Sequence, residues 1–197
     1  MATCQRTPEP MAGSENFMEE LILVIPTKEY KDQAINLIEE VDKVDTDPNI
    51  RFSGFNDLEK YKNNYEEWLV YIENQLNKET IPEGLVTANT FFTVRKSDNK
   101  VVGIINIRHE LNDYLFNYGG HIGYSILPSE RRKGYAYKQL LLGLDYCKKL
   151  KIKDVLVTCV DYNIGSSKTI EKAGGVLENI VYNPHRELNE KRYWIKN

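Results

Sequence analysis

Residues 122–141 read IGYSILPSERRKGYAYKQLL. The segment alternates apolar and polar positions up to Leu127 and stops at Pro128, the pattern of a strand running into a turn. Arg131-x-x-Gly134-x-Ala136 follows. From Tyr135 to Leu150 the residues Ala136, Leu140, Leu141, Leu144 and Cys147 recur at helical spacing. A strand that passes through small residues straight into a helix exposes several backbone N–H groups, and the helix N-terminus adds partial positive charge. That combination is an anion site shaped for phosphate. Gly134 allows close approach of the backbone to a ligand, and Arg131, Arg132 and Lys133 add cationic character. Other phosphate loops fit worse. The dinucleotide pattern G-x-G-x-x-G is absent. The tract Gly165–Thr169 partly matches a P-loop, but Ser167 and Tyr162 stand where its two glycines belong.

Working outward, the spacing predicts a strand at Val155–Val160 and a short helix at Asn163–Ala173 that stops at Gly174-Gly175. Closing strands follow at Val176–Tyr182 and Lys191–Ile195. Upstream, Thr90–Arg95 and Val101–Arg108 form a hairpin around the turn 97–100, and 112–119 reads as an aromatic loop before a strand at Gly120–Leu127. Further upstream lie a strand at Leu21–Ile25, a helix at Lys28–Val44, a loop at Asp45–Asn56 and a helix at Asp57–Asn77 capped by Asp57. This order predicts a mixed α/β fold, a central mixed sheet with interspersed helices, and not a doubly wound one. Residues 1–17 lack periodicity and read as a disordered tail or expression remnant, with 18–197 as one domain.

The turn and the segment after it resemble the GNAT superfamily of N-acetyltransferases. Arg131-x-x-Gly134-x-Ala136 resembles that family's pyrophosphate motif, and Asn163-x-x-Ser166-x-x-x-Ile170-Glu171-Lys172-x-Gly174 resembles its second signature. RHELN (108–112), GGHIGY (119–124) and KRYWI (191–195) resemble a bacterial branch of uncharacterised acetyltransferases. The resemblance implies a splayed sheet and acetyl-CoA as co-substrate. It implies that Tyr124, Ser125 and Ile126 lie along the pantetheine arm. Arg131, Arg132, Lys133, Gly134, Tyr135, Ala136 and Tyr137 would surround the pyrophosphate, with Asn163 and Ser167 on the other side. It implies transfer of acetyl to a primary amine by direct attack in a ternary complex. A non-catalytic acyl-CoA sensor on the same fold is the alternative.

Two positions depart from the family pattern. Ile170 replaces the signature tyrosine that protonates the leaving thiolate, so Tyr193, Tyr162 and Ser167 become candidate donors. Thr158 stands where some relatives carry a glutamate base. A lysine-like amine is neutral in only about one molecule in a few thousand at pH 7, so a base is needed. His121, His109 and Glu110 are the candidates, His121 first because a histidine titrates near neutrality. Arg108 and His109 are candidate acceptor-binding residues. Phe52, Phe55, Tyr61 and Trp68 could line an aromatic acceptor wall, although Tyr61, Tyr65 and Trp68 sit at the helical spacing of a core face.

Composition narrows the classes. The chain has 197 residues, 41% hydrophobic and 28% charged, with a net charge of −3. An acidic balance disfavours nucleic acid as a partner. Cys4, Cys147 and Cys159 match neither a zinc pattern nor a disulfide framework, so no metal is expected and the thiols read as reduced. No apolar run is long enough for a membrane span. A cytoplasmic setting is the expectation, and the KRYWI strand offers an edge for pairing with a second copy.

Overall fold

The computed structural model describes residues 20–197. The expected tail at 1–17 and Cys4 lie outside them. The mixed α/β architecture is present, built as two antiparallel sheets. β1 (Leu21–Val24), β2 (Ala88–Arg95), β3 (Lys100–Arg108) and β4 (Ile122–Ile126) form the first, in that spatial order. β5 (Asp154–Val160), β6 (Val176–Asn183) and β7 (Leu188–Lys196) form the second, in the order β5-β7-β6. α1 (Lys31–Val44) and α2 (Tyr65–Asn74) cover one face of the first sheet, and α3 (Tyr135–Lys149) covers the other. α4 (Ile164–Lys172) packs against β5 and β7.

Strand alternation explains this layering. Phe92, Val94 and Ile104 point into the cluster under α1 and α2 with Leu37, Val41 and Trp68. Their neighbours Phe91, Ile105 and Ile107 point into the cluster under α3 with Leu140, Leu144 and Val157. With both faces covered, β3 is buried from Val101 to Ile107.

Four expectations are corrected. The helix expected at 57–77 is a 3-10 turn at Leu58–Tyr61 followed by α2. Asp57 does not cap it: its backbone is left-handed (φ 64°), and its carboxylate instead accepts from Tyr71 (3.0 Å) and pairs with Lys60 (2.6 Å). Asn63 and Asn64, poor helix formers, separate the two pieces. The loop expected at 112–119 closes into a π-helical turn at Leu115–Gly119. The Asn112 side chain accepts from Leu115 N–H, and Gly120 N–H bonds Leu115 O at 2.7 Å. Phe55 and Trp68 are wholly buried, so they build the core and not an acceptor wall. Finally, the KRYWI segment lies in β7, bonded to β5 on one side and β6 on the other, so it has no edge to offer a second copy. The edge strands of that sheet are β5 and β6.

Among the described residues, backbone hydrogen bonding links the sheets at one place. His121 N–H bonds Leu156 O at 2.7 Å, and Leu156 N–H bonds the imidazole Nδ1 of His121 at 3.0 Å. Gly120 makes this approach feasible. Its φ is +66°, and a Cβ there would sit 2.6 Å from Leu156 O.

Candidate active site

Beyond His121, β4 and β5 part. Arg108 N–H to His121 O (2.8 Å) and Leu127 N–H to Val102 O (2.9 Å) show that odd-numbered residues of β4 face β3 in the ladder. By antiparallel alternation, the backbone groups of Tyr124 and Ile126 point the other way, toward β5. No ladder joins β4 to β5, since the two belong to separate sheets. Ile126 O is taken by Arg131 Nε at 3.0 Å. The N–H and C=O of Tyr124 and the N–H of Ile126 therefore face a gap. An extended chain lying there would find strand-like partners.

The gap opens beside the turn before α3. Gly134 caps that helix with φ +79°, and a Cβ placed on it would meet nothing within 4 Å. Open space thus lies over a turn whose first helical N–H groups have no intrahelical partner. The three basic residues divide. Arg131 forms a two-toothed pair with Asp45 (2.7 and 2.5 Å). Lys133 binds Glu130 at 2.8 Å. Arg132, left-handed at φ 65°, pairs with no carboxylate among the described residues. Glu130 is buried, which works to raise its pKa, yet Lys100, Lys133 and Arg95 hold it at about 2. Three cations around one carboxylate leave the neighbourhood positive. Among the predicted pyrophosphate residues, the Tyr135 ring is buried in the core beside Arg95 and turns away from the open space, and Ala136 packs near it. The Tyr137 ring lies 4.4 Å under Lys172 Nζ.

Across the gap, Asn163 caps α4, its side chain accepting from Ser166 N–H at 3.1 Å. The Tyr124 hydroxyl lies 3.3 Å from Ser166 Oγ. Burial pushes the Tyr124 pKa up to about 12, with the Ser166 contact acting against it, so the group holds its proton at neutral pH. Ser125 Oγ donates to Ser53 O at 2.7 Å. Ser167 is buried, 3.4 Å from Cys159 Sγ. Tyr193 is buried too, and its hydroxyl donates to Glu171 at 3.1 Å. Ile170 sits fully in the core. Thr158 donates to Tyr118 O at 2.8 Å. Tyr162 is exposed and donates to Asp47 at 2.8 Å. The Tyr124–Ser166 pairing was not seen in the sequence. Alternation along β4 puts Tyr124 on the α3 side with Ile122, and that signal was available.

His121 is buried, and burial first, then the charge of Arg108, lower its pKa to about 4. Its Nδ1 lone pair is used by Leu156 N–H, which leaves the neutral ring's proton on Nε2. The ring joins the sheets and has no free lone pair to act as a base. His109 turns to the opposite side from Arg108, its Nε2 2.7 Å from Asn89 Oδ1, and burial lowers its pKa. Arg108 lines a cavity of about 260 Å³ between β3, the end of α2 and the 112–115 segment. Sequence and structure thus separate these two candidates.

Known proteins share this fold. A family model described as an acetyltransferase (GNAT) domain matches residues 35–176. The chain belongs to the GNAT acetyltransferase family. Among solved structures it is similar to Mycobacterium smegmatis RimJ in complex with CoA-disulfide, at 13% identity and TM-score 0.66, covering 91% of this chain and 83% of that one. It is similar to the microcin C7 self-immunity acetyltransferase MccE in complex with acetyl-CoA and AMP, at 18% identity and TM-score 0.63, covering 90% and 93%. It is also similar to mutant forms of the spermidine/spermine N-acetyltransferase SpeG from Vibrio cholerae, at 16% identity and TM-score 0.58, covering 90% and 95%. No curated protein sequence matches significantly. Among the described residues no cluster of metal-ligating side chains occurs, and no helix is long and apolar enough to cross a membrane.

The His121 joint has a signature in stability. Well above pH 6.5 the ring is neutral in both folded and unfolded chains. As pH falls toward 4 the unfolded chain binds a proton that the folded chain refuses, so stability is lost across that window. At about pH 5 the loss from this residue is roughly 2 kcal/mol. Denaturant midpoints of the wild type and His121→Gln, measured near neutrality and near pH 5, should show the wild type losing that much more than the variant. Equal losses would mean that the ring is not buried neutral.

Proposed function

We propose that this protein transfers an acetyl group from acetyl-CoA to a primary amine by direct attack in a ternary complex. The observation that carries the reading is the gap between β4 and β5, with unpaired strand groups of Tyr124 and Ile126, opening beside the turn at Gly134. The residues fit the co-substrate. The turn N–H groups and Arg132 would hold a pyrophosphate, with the charges of Arg131 and Lys133 nearby. The N–H and C=O of Tyr124 would pair with a pantetheine arm, which leaves Ile126 N–H for the thioester carbonyl. Asn163, by capping α4, keeps Ser166 at the gap, and Ser167 stiffens the wall behind it. When bound, acetyl-CoA supplies an activated acyl thioester.

The chain's own part is positioning and proton handling. Ile126 N–H faces the gap, where it can take up negative charge developing on a carbonyl oxygen. Tyr124, with Ser166 behind it, hands a proton to the departing thiolate. This replaces Tyr193 in that role, because Tyr193 is buried and committed to Glu171. His121 serves as a positioning residue, and the amine loses its proton to water. Free, buried Cys147 and Cys159 suit a reducing, cytoplasmic setting. Ile170 and Thr158, inert at two family positions, favour an acyl-CoA sensor as the second reading.

Thiol release from acetyl-CoA across a panel of primary amines separates the two readings: amine-dependent release marks the enzyme, and binding without release marks the sensor. Gly134→Val should weaken CoA binding by at least about tenfold, because the side chain fills the open space over the turn and strains a left-handed backbone. Unchanged affinity would place the pyrophosphate elsewhere.

Tyr124→Phe should lower kcat by about 100-fold or more with little change in CoA affinity, the typical cost of losing a general acid. A kcat within a few-fold of wild type would remove Tyr124 from the proton path.

A further inference from the structure

Arg108 is a cation without a counterion. Its Nη1 donates to Gly119 O at 3.0 Å and Gly120 O at 3.1 Å, which holds the end of the π-helical turn. A guanidinium carries five N–H groups, and both on Nη1 are thereby used. Nε and Nη2 have no hydrogen-bond partner among the described residues, and no carboxylate there pairs with Arg108. One edge remains, with two parallel N–H groups, the edge that grips a carboxylate in two-toothed fashion.

That side chain lines the cavity of about 260 Å³. Its polar wall is Asn56, Gln75, Asn106, Asn112 and the Tyr114 ring, and no Asp or Glu lines it. Burial lowers the Arg108 pKa to about 10, with the nearby Tyr114 acting to raise it. Even so, the group is fully charged at neutral pH. The side chain is partly exposed, so an anionic ligand would displace water from its free edge and gain a two-toothed, charge-assisted pair.

Position sets the ligand's length. Arg108 Nη2 lies beside Gly123, 3.4 Å from where a Cβ would stand. Ser125 and Ile126 lie two and three residues further along β4. At about 3.3 Å per residue, the reacting end of the gap is roughly 7–10 Å away. We infer that the acceptor is an amine carrying a carboxylate roughly 7–10 Å from its nitrogen, held by the Nε–Nη2 edge of Arg108. An ω-amino acid or the C-terminus of a dipeptide has that span, whereas an α-amino acid is too short. This rests on the acetyltransferase reading for the place of the amine.

The test uses 6-aminohexanoate and 6-aminohexanamide, which share length and amine and differ in charge. Calorimetric titration of the full chain, without acetyl-CoA, should show the carboxylate binding at least about tenfold tighter. Arg108→Gln should abolish the preference, and Arg108→Lys should keep the charge but lose most of it. Because Arg108 also holds Gly119 and Gly120, the wild type provides a second readout. The Arg108 Nε–H resonance should shift with the carboxylate and stay still with the amide. Equal binding of the two probes, binding of neither, a preference surviving Arg108→Gln, or an unmoved resonance would each overturn the proposal. Acetyl-CoA affinity measured on the same samples reports on the acetyltransferase reading separately, so each can fail alone.

Discussion

Two hydrogen bonds between His121 and Leu156 join the sheets, and the rest of the site depends on where they fall. One uses the backbone in the ordinary way. The other sends Leu156 N–H to an imidazole nitrogen, where a ladder would use a carbonyl. The His121 carbonyl is already committed to Arg108 N–H. The side chain therefore completes the joint without drawing the remainder of β4 onto β5. Past the joint the strands are free to separate, and Tyr124 and Ile126 keep backbone groups outside any ladder. Gly120 is required at the same place, since any side chain would collide with Leu156 O.

Charge then ties the surrounding loops to the gap. Asp45 binds Arg131 in the turn before α3, Asp47 accepts from Tyr162 at the head of α4, and Asn49 O accepts from Arg186 in the β6–β7 turn. Ser53 O accepts from Ser125 on β4. The segment 45–53 thus bridges from one sheet to the other. The π-helical turn is held in a similar way, with Arg108, Thr158 and Arg192 each donating to its carbonyls. Thr158, unable to act as a base, has this structural use instead.

Much of this was legible in the sequence. The strand–turn–helix at 122–141 and the short helix at 163–173 follow from local rules, because alternation, proline, glycine and helical spacing all act within a few residues. The lone tyrosines and histidines were harder, because their roles depend on partners distant in the chain. His121 meets Leu156, and Tyr124 meets Ser166, across the boundary between the sheets. The sequence carries the residues of these contacts but not their approach. Trp68 was ambiguous for the same reason, since helical spacing shows that a face is apolar but not whether it meets a core or a ligand, and Phe55, in a loop, carried no spacing at all. The break at Asn63-Asn64 was visible, but the hydrophobic period running through it hid it.

Amide hydrogen exchange with and without CoA tests the central claim, that the gap between β4 and β5 receives the pantetheine arm. Protection should rise at Tyr124 and Ile126 on adding CoA, while the amide of Leu156, already bonded to His121, should change little. Unchanged exchange at Tyr124 and Ile126, under conditions where CoA is shown to bind, would contradict it.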